Sequence, residues 1–467
     1  MNIEERYNWR KLIINALNEI QSELPTNQLL LNDIHIWPII KIRLFFTAYY
    51  SKNSTNALPQ GHVNQKIQQR FFSRGFGFIK RSFQYFYLFY LPKKHIKYLT
   101  LGAWSHRIFV ENKWLNRYYV NIKHKRIHIE YADLKSTSID NAKSTFTFHD
   151  LFSYQKRYFP KNIKYIYVQM ENNILFKQVI DAFNAKIGMT IKYNAFNNYL
   201  SRTIEWSCFW DKLLKSLNPN EIRMLCYYDD IMLSLCIAAN KLSIPVIDMQ
   251  HGTQGCFHAA YSSFGKLPNG GYNSIPSAFS VWDLPSQRDL ENAQIVPAEK
   301  IILEGNPWIE FNKSKFNKSV NDKTIDILYT LQTSAPIHEF IYEVIAETSS
   351  KYKWVLKTHP RMMNAEITVI EERLKELIAA KRVEIDTKSN LLPLLLSSKL
   401  HTSAFSGSIQ EARLMNIPTI ISDALGVETF RQQLEQEPEY FKYALDKTMF
   451  IQRIQSTIIN NASNNEN

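Results

Sequence analysis

Short apolar runs alternate with amphipathic stretches over most of the chain, and their spacing predicts a parallel α/β architecture. The clearest unit spans residues 222–248. Residues 222–228 read as a strand, and 231–242 carry apolar residues at helical spacing with two alanines and no breaker. Residues 244–249, entered through Pro245, read as a second strand. Strand, helix and strand in so short a span form a parallel crossover. A second series begins near residue 324. Strands at 325–331, 354–357, 383–385, 399–403 and 418–422 alternate with helices at 337–349, 365–380, 391–397 and 408–415. Upstream, 97–103, 126–131 and 163–169 are strand-like. Residues 1–60 read as helices, with Pro38 starting or kinking one of them. Residues 51–66, rich in Asn, Ser, Pro and Gly, read as a loop.

This alternation divides the chain. Residues 1–95 form a helical segment rich in basic and aromatic residues, 96–310 a first Rossmann-like lobe, 324–435 a second, and 436–467 a helix with an Asn-rich tail expected to be disordered. The stretch 301–322, with Gly305-Asn306-Pro307 and a Lys/Asn/Ser run, reads as the hinge, and the helix near 439–460 is expected to pack back across it. The predicted fold class is α/β: two doubly wound parallel-sheet lobes facing a cleft. Ligands of such sheets sit outside the carboxyl ends of the strands, and interdomain clefts are preferred pockets.

Composition narrows the classes. With 45% hydrophobic and 21% charged residues among 467, usage is globular. No window holds the roughly 18 uncharged apolar residues of a membrane span. The first ten residues lack an apolar signal core, so the chain reads as cytoplasmic. Cys208, Cys226, Cys236 and Cys256 form no CxxC pair and read as buried free thiols rather than zinc ligands or disulfides. The net charge of +13 favours anionic partners, and the surplus is concentrated before residue 130. Between Arg70 and Lys97, cations interleave with Phe and Tyr. That composition suits an anionic membrane surface, and equally an aromatic core helix with a basic outer face. Single-stranded nucleic acid could use the same residue types, but the motifs downstream point elsewhere.

Three constellations carry candidate chemistry. Gln250-His251-Gly252-Thr253 directly follows the strand at 244–249, where a catalytic side chain would project. His251 could act as a base or bind phosphate, and Gly252 permits a tight turn or a close approach to ligand. Gly255, His258, Tyr261 and Gly270-Gly271 extend that loop. Lys357-Thr358-His359-Pro360-Arg361 follows a strand in the second series and makes a compact phosphate-facing cluster. Thr402, Ser403, Ser406, Gly407 and Ser408 form a hydroxyl-rich loop opening a helix, with Glu411 one turn in, placed to accept two ribose hydroxyls. Asp229 and Asp230, with Glu130 and Asp133, are candidate bases beside His251. Asp229 or Asp230 could equally cap the following helix. The sequence has no DxD motif, so no divalent metal is expected.

Lys357-x-His359-Pro360, the Ser/Thr-rich loop 402–408, Glu411 and Pro418 together resemble the donor lobe of GT-B bacterial enzymes. These include polysialyl-, sialyl- and Kdo-transferases and the teichoic acid glycerophosphotransferases. Gln250-His251-Gly252 looks like the central motif of capsule and O-antigen transferases, and Gly305-Asn306-Pro307 is similar to the end of their N-terminal lobe. The string from Ser406 to Glu411 is also similar to the nucleotide loop of UDP-N-acetylglucosamine 2-epimerases. The Glu411-to-Pro418 spacing is one residue short for those, and their glutamate-rich centre is not evident. Thr402-Ser403 stands where sialyltransferase-like enzymes carry Ser-Ser. The resemblance covers roughly 220–425. It implies a metal-independent glycosyltransferase with no cofactor beyond a nucleotide-sugar donor. In it His359 and Pro360 shape the nucleotide site, Ser403, Ser406 and Ser408 contact phosphate, Glu411 holds the ribose, and His251 lies at the reaction centre. The first lobe would present a lipid-linked surface glycan as acceptor at the inner membrane, with no nucleic acid partner. The alternatives are transfer of a polyol phosphate from a CDP-alcohol, or a non-catalytic polyanion-binding protein.

Overall fold

The computed structural model describes residues 3–53, 74–90, 96–122, 124, 126–131, 145–160, 167–316, 323–332, 337–360 and 362–463. Its contacts divide the chain into two units. The first is residues 9–307; the second is 308–467 together with residues 1–8.

The first unit is built on seven parallel strands: β1 (Tyr98–Gly102), β2 (Arg126–Glu130), β3 (Thr145–Thr147), β4 (Glu221–Met224), β5 (Val246–Met249), β6 (Ala278–Val281) and β7 (Ile301–Leu303). Their order across the sheet is 3-2-1-4-5-6-7, so the winding reverses between β1 and β4. Its helices are α1 (Ile3–Glu23), α2 (Trp37–Asn53), α3 (Arg74–Phe89), α4 (Phe148–Tyr158), α5 (Ile174–Ile187), α6 (Ala195–Leu217), α7 (Asp230–Lys241) and α8 (Leu284–Ala293). The expected crossover at 222–248 is present as β4–α7–β5, with the strands shorter than their apolar runs. All four residues of β5 are buried, as a parallel strand covered on both faces requires. The aspartate in it, Asp248, is therefore a buried carboxyl. Asp133 and most of the strand expected at 163–169 lie outside the described residues, and 167–169 are not in a strand.

The N-terminal helices are not a separate layer. Trp9, Ile13 and Leu17 of α1 and Trp37, Ile40 and Phe45 of α2 share one hydrophobic core with the sheet. Pro38 takes the second position of α2, where its missing N–H leaves no helical bond unmade. α3 docks by Tyr85 and Leu88, and Tyr85 stacks on Phe159 at 5.2 Å. Phe83, Phe86 and Tyr90 are left 66%, 52% and 54% exposed. One face of the helix is thus aromatic core, as one of the two readings expected, and three further aromatics are exposed.

The second unit repeats the plan with six parallel strands: β8 (Ile325–Thr330), β9 (Trp354–Lys357), β10 (Val383–Asp386), β11 (Ser398–Ser403), β12 (Thr419–Ile421) and β13 (Phe441–Tyr443). Within this sheet the order is third, second, first, fourth, fifth and sixth strand, again reversing between the first and the fourth, β8 and β11. Helices α9 (Pro307–Phe316), α10 (Glu339–Thr348), α11 (Asn364–Arg373), α12 (Lys375–Ala379), α13 (Leu391–Leu396), α14 (Ser408–Leu414), α15 (Ala424–Thr429), α16 (Arg431–Gln436) and α17 (Lys447–Ser463) complete it. Both sheets are therefore doubly wound and parallel, and the α/β class stands.

Two expectations change. The stretch 301–322 is not one linker: it supplies edge strand β7 and helix α9, with Gly305 turning between them at φ +77°. The last helix packs on its own unit, where Phe450 and Ile454 join Trp354 and Leu400 in one core. Among the described residues, no helix is long and apolar enough to cross a membrane. Of the four thiols only Cys236 is buried. Cys208 and Cys226 are half-buried, and Cys256 is exposed.

A buried ion pair fixes the chain leaving β1. Arg107 donates to both oxygens of Glu130 at the end of β2, at 2.6 and 2.7 Å, with both side chains fully buried. Burial alone would raise the Glu130 carboxyl. The two bonds from Arg107, with the His128 ring nitrogen 3.8 Å away, outweigh it and hold that carboxyl below the usual carboxylate range. Glu130 is thus a structural anion and not a base. Arg107→Ala, which strands that charge, is expected to lower the unfolding free energy in urea by about 3–5 kcal/mol, while the paired replacement Arg107→Met with Glu130→Leu stays close to wild type.

Candidate functional site

In each sheet the chain turns at the carboxyl ends of the strands beside the winding reversal, where doubly wound folds bind ligand. In the first unit β4 ends at Met224, and the turn Leu225–Asp229 leads into α7. Cys226 lies in that turn at φ +56°, a left-handed conformation that a non-glycine residue adopts at some cost. It puts the thiol against the end of β5: Cys226 Sγ is 3.1 Å from His251 Nε2, and the Tyr228 hydroxyl is 3.3 Å from the same nitrogen. Tyr118, in the segment after β1, donates to the His251 carbonyl at 3.0 Å. His251 is thereby held between the β4–α7 turn and the segment that follows β1. Burial, reinforced by Asp248, pushes the Cys226 thiol up to about 12, so at neutral pH it is an S–H and not a thiolate.

Asp248 anchors this arrangement from beneath. Its carboxyl accepts from the Tyr227 amide at 3.2 Å and the Tyr261 hydroxyl at 2.8 Å, joining the β4–α7 turn to the loop after β5. Burial raises it to about 7. His258, in the same loop, packs against Tyr228 with ring centres 4.7 Å apart and planes tilted by 50°. It is driven well below the usual imidazole range, first by burial and then by the charges of Arg10 and His251.

The other residues expected here divide. Gln250 is buried: it donates to Ser286 Oγ at 3.0 Å and to the Gly252 carbonyl, and accepts from the Trp282 amide at 2.7 Å. Its amide ties β5 to the start of α8 and is not offered to a ligand. Gly252 has no left-handed φ, so no tight turn demands it, and nothing lies within 4 Å of where its Cβ would stand. Asp230 is ion-paired with Arg202. Asp229 caps α7, accepting from the Ile231 amide at 2.9 Å, and burial and the nearby Asp230 raise it to about 7.

In the second unit, strand register sets Thr330, Lys357, Ser403 and Asp386 at one level across four adjacent strand ends. Lys357 consequently pairs with Asp386 at 3.0 Å and is buried, so it is not a free phosphate ligand. The hydroxyls of Thr402 and Ser403 donate to the carbonyls of Ile420 and Thr330 at 2.8 and 2.9 Å and are fully buried. They stitch the sheet and cannot reach phosphate. The loop beyond them is more open. Ser406 Oγ accepts from the Ser408 amide at 3.2 Å, Ser408 Oγ meets Thr330 Oγ1 at 2.7 Å, and Ser406 and Gly407 are half-buried. Glu411 is buried in α14, which runs only seven residues. His359 is half-buried and Pro360 exposed at the end of β9. Arg361 lies outside the described residues. The loop is packed from behind by Gly426: a Cβ there would stand 2.0 Å from the Ala404 carbonyl oxygen.

Cys226, Tyr228 and Tyr118 had no place in the expected site. The signal for Cys226 and Tyr228 was present, since Cys226-Tyr227-Tyr228 follows a strand just as Gln250-His251 does. Among the described residues no group of three or more His, Cys, Asp or Glu side chains is arranged to hold a metal ion.

No family model and no curated protein sequence matches the chain. Among solved structures, similar chains include the UDP-GlcNAc 2-epimerase of Methanocaldococcus jannaschii, at 14% identity with a TM-score of 0.44, covering 78% of this chain and 93% of that one. A glycosyltransferase from Rickettsia africae is 12% identical with a TM-score of 0.39, covering 78% and 88%. Acinetobacter baumannii MurG is 8% identical with a TM-score of 0.39, covering 78% and 91%.

The Asp248 carboxyl gives this site a pH signature. Its folded affinity for protons exceeds that of the unfolded chain, so it favours folding at low pH, and that contribution is lost as pH rises from about 4 through about 7. In Asp248→Asn, stability relative to wild type should therefore climb across that window, by at most about 1.4 kcal/mol per pH unit. Chemical denaturation at a series of pH values reads this directly; a constant difference between the two proteins would mean that Asp248 does not titrate there.

Proposed function

We propose that the protein is a glycosyltransferase that takes its sugar from a nucleotide-sugar donor. The observation that carries the reading is the double placement of motifs. Each of two doubly wound parallel sheets presents its histidine-bearing segment, His251 in one and His359 in the other, at the carboxyl end of the strand next to the one that borders the winding reversal. In this reading the second unit holds the nucleotide through His359, the backbone and hydroxyls of Ser406–Ser408, and Glu411. Charge developing on the departing diphosphate is met by His359 and by the amides of that loop. His251 takes the proton of the acceptor hydroxyl, with Asp229 the alternative base. Lys357 acts through Asp386, fixing the end of β9, and not as a direct ligand.

The acceptor in this proposal is a growing bacterial surface glycan on a lipid carrier. What favours a membrane-borne acceptor is α3, which turns Phe83, Phe86 and Tyr90 outward at helical spacing in a sequence carrying Lys80, Arg81, Lys93 and Lys94. Co-sedimentation with vesicles containing an anionic phospholipid should retain the wild type and lose the Phe83→Ser, Phe86→Ser double variant; equal recovery of both would remove α3 from this role.

Thermal stability against CMP, CDP, UDP, GDP and dTDP tests the donor. A nucleotide at about 100 times its dissociation constant adds roughly 2.7 kcal/mol. One member of the panel should stabilise the wild type, and His359→Ala should lose that shift. Indifference of the wild type to all five would end the nucleotide assignment, and an unchanged shift in His359→Ala would take His359 out of the site. Product analysis with the stabilising nucleotide's sugar then reads transfer itself.

A further inference from the structure

A chain of four polar side chains crosses the winding reversal of the second sheet. It starts at Thr419 on β12, whose Oγ1 is 3.0 Å from His401 Nδ1 on β11. The other ring nitrogen, Nε2, is 2.9 Å from Thr330 Oγ1 at the end of β8. That hydroxyl in turn is 2.7 Å from Ser408 Oγ, where the loop after β11 ends. All four residues are buried. Register brings them together: His401 is paired with Thr419 across β11 and β12, and β8 is the other neighbour of β11. Among the described residues these three hydrogen bonds are the only ones that the four side chains make.

The protons along this chain can be counted. Burial pushes His401 down to about 3, so at neutral pH its ring is uncharged and carries a single N–H. With the three hydroxyls that gives four protons for three bonds, and one proton is left over. Three arrangements satisfy every bond. A proton on Nδ1 makes Thr419 the acceptor, so Thr330 must donate to Nε2 and Ser408 to Thr330, and the Thr419 proton is left over. With the proton on Nε2, Thr419 donates to Nδ1 and the ring donates to Thr330. The spare proton is then that of Thr330, if Ser408 donates, or that of Ser408, if Thr330 donates. A buried hydroxyl proton without an acceptor costs free energy. Thr419 and Thr330 each lie between two neighbouring strands, inside the sheet. Ser408 instead adjoins the half-buried Ser406 and Gly407, so its proton is the one a ligand can take up.

We propose that His401 is a positioning residue for the nucleotide: with its proton on Nε2 it directs the chain from Thr419 to Ser408 and keeps the Ser408 hydroxyl proton for an anionic oxygen of the nucleotide. His401 itself acts only through Thr330 and Ser408. The acceptor of that proton rests on the nucleotide-sugar reading, whereas the direction of the chain does not. A hydroxyl facing an anion has to donate. Had Ser408 spent its proton on Thr330, it would turn lone pairs toward the phosphate. A hydroxyl that already accepts a hydrogen bond is polarised into a stronger donor, and a bond to a charged oxygen is among the strong ones.

The test uses the full-length protein carrying ring-nitrogen-labelled histidine. Long-range proton–nitrogen correlations tell a proton on Nε2 from one on Nδ1, and the His401 signals are those missing from His401→Gln. The expected result at neutral pH is an uncharged ring with its proton on Nε2. A proton on Nδ1, or on both nitrogens, overturns the proposal. Thermal-shift titration with CMP, CDP, UDP, GDP and dTDP then reads the effect on binding. The nucleotide that binds the wild type should bind Ser408→Ala about tenfold more weakly. It should also bind His401→Phe more weakly, because Ser408 is then free to donate to Thr330. Wild-type affinity in either variant overturns the proposal, and a lowered melting temperature alone makes His401 a filler of the sheet. Should His401→Phe fail to fold, the position of the ring proton and Ser408→Ala decide. If none of the five nucleotides binds the wild type, the nucleotide-sugar reading falls and takes this role with it. If one binds and the ring proton or the variants disagree, the role of His401 falls alone.

Discussion

A parallel strand buried on both faces can pass its chain on only by a crossover, so every loop that follows a strand emerges at one edge of the sheet. That constraint decides what each unit of this protein can do. Seven strands in the first unit and six in the second deliver their following loops to a single edge. At the winding reversal the crossovers leave to opposite faces, and the strand ends there are not roofed by a helix. Cys226, Tyr228 and His251 meet at that edge because β4, which borders the reversal, and β5 are adjacent parallel strands. They come from loops after neighbouring strands, and no local signal needed to bring them together.

The same geometry is demanding of polar groups at strand ends. A hydroxyl or a charge at the last position of a buried strand has lost water and must find a partner. Adjacent parallel strands supply one at the same level. Lys357 finds Asp386, Ser403 finds the Thr330 carbonyl, and Asp248 finds Tyr227 and Tyr261. Residues two or three positions beyond the strand, such as His251, His359 and Ser406, escape this requirement and face a choice between loop and ligand. Position relative to the strand's last buried residue therefore separates residues that build the edge from residues that can work on it.

This distinction also marks how far the sequence was readable. The interior strands were legible because Val246–Met249 and Trp354–Lys357 are dense in apolar residues and bounded by turns. Edge strands Ile301–Leu303 and Phe441–Tyr443 were not. Three residues half-exposed at a sheet margin carry no period of their own, and pairing with a neighbour alone makes them strands. At the site, the sequence located the loops but not the direction of each side chain. Thr402, Ser403 and Gln250 sit in the expected segments and turn inward. Glu130 and Asp230 sit where a base was sought, but Arg107 and Arg202 neutralise them from other elements. Whether a carboxylate at a strand end is a base or an anchor depends on a cation distant in sequence, and a single chain read in order does not show that cation.

Arg10 is the converse case. Nothing around it in sequence signals chemistry: it is one cation among several on an amphipathic helix. It matters only because α1 and α2 share the core of the first sheet, which brings Phe45, Tyr49 and the loop at 257–258 around one guanidinium. The N-terminal helices are therefore part of the first unit's core, brace the loop after β5, and are not an appendage to it. A partly buried cation can be kept without an anion only if the fold gains something else. Here the aromatic faces and the Phe257 carbonyl supply part of that stabilisation. One side chain thus ties the first helix of the chain to α2 and to the loop after β5, 247 residues away.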